Sequence, residues 1–66
     1  MQLTVNGTPH FFVQNPILSQ LLVTLELTGQ RLAVERNGEI VPRSQFGETV
    51  LSNGDKLEIV VAVGGG

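Results

Sequence analysis

Sixty-six residues make one domain, and a chain this short buries only about 60% of the surface it exposes unfolded, so one small core must hold it. Apolar residues are 41% of the chain, enough for such a core and too many for a disordered segment. A net charge of −2, with four scattered cations (Arg31, Arg36, Arg43 and Lys56), excludes the concentrated basic face of a nucleic-acid binder.

Met1 to Val5 alternates, with Met1, Leu3 and Val5 on one face and Gln2 and Thr4 on the other, which predicts a half-buried strand. Asn6-Gly7 is a two-residue hairpin signal, because both positions tolerate positive φ. The return strand is expected from Thr8 to Val13, with Val5 opposite Thr8, Leu3 opposite His10 and Met1 opposite Phe12. Phe12 is then inward, while Phe11 and Val13 face the other way.

Asn15-Pro16 reads as a helix start, Asn15 as N-cap and Pro16 at the first helical position. Ile17, Leu18, Leu21, Leu22 and Leu25 recur at three- and four-residue spacing as one apolar stripe, and the helix is expected to end near Thr28 with Gly29 as terminator. Leu32 to Arg36 is the third strand, and Asn37-Gly38 turns it into a short extended piece, Ile40-Val41. Pro42 opens a turn over Arg43 to Phe46, Val50 and Leu51 add apolar contacts, and Asn53-Gly54 is a further turn. Leu57 to Val63 is the last strand, β-branched and long enough to be central.

This order predicts an α+β fold in which one helix packs on a mixed four- to five-stranded sheet, the β-grasp (ubiquitin-like) arrangement, over residues 1–63, followed by a glycine tail at 64–66. The helix supplies the crossover that lets the first and last strands lie parallel at the centre. The expected core is Leu3, Phe12, Leu21, Leu25, Val34, Leu57 and Ile59.

Residues able to do chemistry are few. Cysteine is absent, which removes thiolate nucleophiles, Fe–S clusters and zinc knuckles, and points to a reducing compartment. His10 is the only histidine and reads as structural, on a strand. Ser19, Ser44 and Ser52 have no histidine at a useful spacing, and the six carboxylates (Glu26, Glu35, Glu39, Glu48, Asp55 and Glu58) read as solvated surface. No phosphate-binding loop, metal-ligand spacing or bound cofactor is indicated. With no leader and no apolar run of the roughly 18–20 residues a membrane span needs, a cytoplasmic protein is expected.

The tail is the exception. Gly64-Gly65-Gly66 follows an apolar strand directly. Three extended residues reach about 10 Å, enough to enter another protein's active site. Lacking Cβ, they can thread a narrow slot. A terminal carboxylate is ionised above about pH 3.5 and is a poor electrophile, so it needs activation, most simply as an acyl-adenylate, by a partner that holds ATP. Along the last strand Leu57, Ile59, Val61 and Val63 share the core face. Val60 and Ala62 stay on the open face with Phe11 and Val13, so Phe11, Val60 and Ala62 are the expected docking residues.

The opening MQLTVNG, the stretch AVERNGEIVPRSQF, the segment NGDKLEIV and the ending AVGGG resemble the ThiS family, sulfur carriers of thiamine (thiazole) biosynthesis, over essentially the whole chain. The resemblance implies that an E1-like adenylating enzyme activates Gly66 with ATP. A persulfide of a sulfur donor protein then displaces AMP, and the resulting thiocarboxylate supplies sulfur to thiazole synthase. It makes the chain a protein co-substrate, not an enzyme, with Gly66 reactive and Gly65 and Gly64 beside it. Gly64 is a third glycine where some members have two, and Phe46 stands where many have tryptophan. A carrier of the molybdopterin-synthase type and a stand-alone β-grasp binding module with an inert tail are the alternative readings.

Overall fold

In the computed structural model, which describes residues 1–28 and 31–61, the chain begins with strand β1 (Gln2–Val5) and strand β2 (Thr8–Phe11), joined at Asn6 (φ 49°) and Gly7 (φ 82°). Two consecutive positive φ values make the tight primed turn whose twist matches the strands. Val5 lies opposite Thr8 and Leu3 opposite His10, as the spacing predicts. Met1 and Phe12 extend the ladder with a bond in each direction, 2.8 Å from the terminal ammonium to the Phe12 carbonyl and 2.9 Å from the Phe12 N–H to the Met1 carbonyl. Counting back from that bonded pair, Thr4 and Pro9 form a non-hydrogen-bonded pair. Pro9 therefore turns its missing donor to the sheet edge, where proline is tolerated. The strand stops at Phe11, short of the expected Val13. Phe12 folds back against the core while Phe11 and Val13 stay exposed.

The helix, α1 (Leu18–Thr24), is shorter than the apolar stripe implies at both ends. Its start is displaced by a tertiary pairing. The Pro16 carbonyl accepts from the Leu51 N–H at 2.9 Å, the Leu18 N–H donates to the Thr49 carbonyl at 2.8 Å, and Ile17 bridges Val50. These bonds hold 16–17 extended, so Ile17 and not Asn15 is the N-cap, with φ −80° and ψ 144°. The Gln20 side chain accepts the Ile17 N–H at 3.3 Å. At the other end Glu26 takes the left-handed conformation, φ 60°. The Leu27 N–H reaches the Leu22 carbonyl and the Glu26 N–H the Val23 carbonyl, a complete Schellman closure. The helix thus ends before the expected Thr28, and Gly29 lies outside the described residues.

Strand β3 (Leu32–Arg36) has the expected bounds, and Asn37-Gly38 turns it into β4 (Glu39–Ile40), one residue earlier than the sequence suggests. A short 3-10 turn covers Arg43–Gln45, and β5 runs over Lys56–Val61. Ala62 and Val63, expected to complete β5, lie outside the described residues. The five strands are ordered β2-β1-β5-β3-β4, with β5 central, parallel to β1 and antiparallel to β3. This is the β-grasp arrangement.

Leu3, Val5, Leu18, Leu21, Leu22, Val34, Leu51, Leu57 and Ile59 form the core between α1 and the sheet. Phe12 and Leu25, expected within it, pack half-buried at its margin with Phe46, and Val50 is exposed where Leu51 is buried. Replacing the fully buried Leu21 by alanine removes three carbons from the helix–sheet seam. It should cost about 2–5 kcal/mol in a urea titration. A midpoint indistinguishable from the parent protein would rule out this packing.

One carboxylate departs from the surface role expected for all six. Asp55 is buried; it accepts from Arg36 Nε at 2.8 Å, from the Asn37 side-chain amide at 3.0 Å and from the Ser52 N–H at 2.8 Å. Burial is the largest single influence and raises the carboxyl. The Ser52, Asn37 and Arg36 hydrogen bonds and the Arg36 charge together outweigh it and hold Asp55 below the usual carboxylate value. A depressed folded value means stability that is present above the unfolded pKa and lost as pH falls through the folded one. Asp55→Asn should therefore be less stable than wild type at pH 7, with the gap closing below about pH 4. A gap that does not change with pH, measured by thermal melts across that range, would contradict this assignment.

Candidate functional site

The part of the fold that leads to the glycine tail is the C-terminal end of β5. Leu57 and Ile59 point into the core and anchor the strand, while Glu58 and Val60 face the open side of the sheet. On that side Val60 lies opposite Ala33, Glu58 opposite Glu35, and Ile40 opposite Glu35 on the outer strand. Val60 is 61% and Ile40 67% exposed, so an aliphatic patch with two acids in its middle surrounds the strand end.

On the other flank β1 stops pairing with β5 after Val5 and Leu57. Asn6 finishes the ladder with its side chain. Its Oδ1 accepts the Ile59 N–H at 2.7 Å, and its Nδ2 donates to the Ile59 carbonyl at 2.9 Å. One residue thus makes the left-handed turn and also clamps the strand that carries the tail. The Asn-Gly dipeptide announces the turn; the clamp depends on the parallel register, which local sequence does not carry.

Of the expected docking residues, Phe11 and Val60 share the open face but lie toward opposite ends of it. Phe11 is 74% exposed and pairs with Gln2. The β1–β5 register sets Thr4 against Lys56, so Phe11 sits level with residue 54, six residues from Val60. At 3.3 Å per residue the two side chains are about 20 Å apart along the strand direction. Ala62 and the tail residues Gly64, Gly65 and Gly66 lie outside the described residues.

His10 is half-buried, across from Leu3, and Ser52 and Arg36 belong to the Asp55 network. Among the described residues no group of three acidic, histidine or cysteine side chains could hold a metal, and no helix is long and apolar enough to cross a membrane. A shallow cleft of about 210 Å³ lies between α1 and the 3-10 turn, walled by Leu22, Leu27, Leu32 and Phe46, with Arg43 the one ionisable group among the described residues that line it. Ser19 and Thr28 add hydroxyls to its lining, with no described histidine or carboxylate beside them. Because Val60 is solvated, Val60→Asp should leave the unfolding midpoint within about 0.5 kcal/mol of wild type. A loss comparable to Leu21→Ala would place Val60 in the core.

Comparison with known proteins bears on the same segment. The sequence model of the ThiS family matches residues 3–66. The sulfur carrier protein ThiS of Bacillus subtilis is 39% identical over 49 residues, covering 74% of each chain. The thiazole synthase of Paramagnetospirillum magneticum is 42% identical over 66 residues, all of this chain and 20% of that protein, so the chain spans a fifth of that relative's length. The crystal structure of the thiamine biosynthesis protein ThiS from Geobacter metallireducens superposes with a TM-score of 0.84 at 35% identity, covering the whole of both chains.

Proposed function

The chain belongs to the ThiS family, and from that premise we propose that it is a sulfur carrier of thiamine biosynthesis whose working group is the carboxylate of Gly66. The observation that supports this most is that the family match runs on through the last glycine, with a core-anchored central strand leading to it. In this reading activation and sulfur transfer are the work of partner proteins.

The carboxylate oxygen attacks the α-phosphate of ATP on an E1-like adenylating enzyme, and pyrophosphate leaves. The outer sulfur of a protein persulfide then attacks the acyl carbon, and AMP leaves. A second thiol attacks the sulfur of the resulting acyl disulfide that belongs to the donor protein. It forms a new disulfide there and releases the thiocarboxylate, which thiazole synthase accepts as its sulfur source. ATP is the adenylating enzyme's substrate and not a cofactor of this chain. The open-face residue Val60 is the docking contact nearest the tail, joined by Ala62; Phe11, at the far end of the sheet, belongs to a separate contact or to none.

Position of the carbonyl carbon is the main thing such a carrier controls. Deleting Gly66 withdraws it by about 3.5 Å, and a displacement of about 1 Å can cost 100-fold in a reaction between aligned groups. The deletion should abolish ATP–pyrophosphate exchange with the adenylating enzyme while leaving the melting midpoint unchanged. Gly65→Val, which keeps length and charge, should fail as well because its branched side chain blocks a slot shaped for bare backbone. Wild-type exchange in both variants would refute the proposal. Sulfur delivered to a molybdopterin precursor and not to the thiazole would replace it with the related carrier class.

A further inference from the structure

Hydrogen bonding along β5 alternates. Its odd-numbered residues turn their backbone groups toward β1: the Asp55 carbonyl accepts from the Thr4 N–H at 3.0 Å and the Leu57 carbonyl from the Asn6 N–H at 2.9 Å. Ile59 bonds through both N–H and carbonyl to the Asn6 side chain. Even-numbered residues turn toward β3 and the turn after it, as the Lys56 carbonyl does in accepting from Asn37. Val61 is the next odd residue. Its N–H and carbonyl point to the flank that β1 has left, since the chain there has already turned back through Asn6-Gly7 into β2. Among the described residues no strand pairs with Val61 on that side.

We infer that this half-open flank of β5 at Val61 is a slot for an extended main-chain segment of the adenylating enzyme, which adds to the sheet as a strand beside β5. The inference rests on the sulfur-carrier reading and adds to it the chemistry of the contact. A donor and an acceptor on one residue, aimed the same way from a strand, are matched by the donor and acceptor of another strand. The sheet's two edge strands suit this poorly, since β4 is only two residues long and β2 carries Pro9. Pro9 there has no N–H to offer.

The slot also lies where it affects the reaction most. Val61 is five residues from Gly66, about 17 Å of extended chain. Pairing at Val61 fixes the direction in which that chain leaves the domain, and so where its last carbon arrives. Water solvates both groups in the free protein, so the gain in affinity from pairing is small and the gain in orientation is the larger effect. The Asn6 clamp keeps the slot open: its side chain ends the β1 ladder at Ile59 without letting β1 continue past it.

The test is a total synthesis of the 66-residue chain with a backbone ester replacing the amide N–H of Val61, and a second with the ester at Val60. Removing one such donor should lower kcat/KM for ATP–pyrophosphate exchange by roughly three- to tenfold. The melting midpoint should be unchanged at Val61 and reduced at Val60, whose N–H faces β3. Amide exchange at Val61 should slow when the adenylating enzyme is added. Wild-type kcat/KM in the Val61 ester, with no slowing of its amide in the complex of the unmodified protein, would overturn the slot. So would a midpoint loss at Val61 equal to that at Val60, since the N–H would then be bonded within the fold. Absence of exchange with the unmodified protein is a separate result, which removes the sulfur-carrier reading and the slot with it.

Discussion

Everything in this molecule depends on β5 being paired on both sides. A strand that enters the centre of a sheet last must find its two neighbours already separated by one strand's width. The chain achieves this by sending α1 across one face between β2 and β3, so that β1 and β3 stand on either side of an empty track. The filled track places Leu57 and Ile59 against Leu3, Val34 and the helix leucines. The same pairing that closes the core therefore fixes the strand from which the glycine tail departs.

Two polar devices hold the ends of that strand. At its start, buried Asp55 gathers Arg36, Asn37 and the Ser52 N–H, tying the β3–β4 turn to the turn that precedes β5. At its end, Asn6 ties the hairpin turn to Ile59. A buried carboxylate is tolerated in so small a domain because each of its partners is a donor, one of them charged. Between the two devices the strand is bonded on both sides, and beyond Ile59 it is paired with β3 alone.

The sequence revealed whatever rests on local periodicity. The hairpin was legible because alternation and Asn-Gly agree, and the register of Val5 with Thr8 follows from turn length alone. The parallel centre was legible because a helix stands between two strong strands. The helix limits were not. Pro16 looks like a first helical residue, yet Pro16 and Ile17 are drawn into bonds with 49–51, a contact between segments more than thirty residues apart. Glu26 in the left-handed position gave no compositional warning, while Gly29 gave a false one. Asp55 looked like one surface acid among six, since nothing local shows that Arg36 and Asn37 converge on it. The tail was legible from composition. Local sequence placed Phe11 and Val60 on one open face but did not give their separation along it. Shared orientation on a sheet says nothing about position along the strands, which the parallel register decides.

A carrier whose reactive atom sits at the main chain's end should be present in its sulfur-bearing form in cells that make thiamine. The most direct measurement is the intact mass of the protein isolated from its own cells under conditions that block thiol exchange. A species ending at Gly66 is expected whose mass exceeds that of the free acid by the difference between sulfur and oxygen, and which reverts on treatment with an alkylating agent followed by hydrolysis. A population consisting only of the free acid while thiazole synthesis is blocked downstream, or a mature chain continuing past Gly66, would contradict the sulfur-carrier reading.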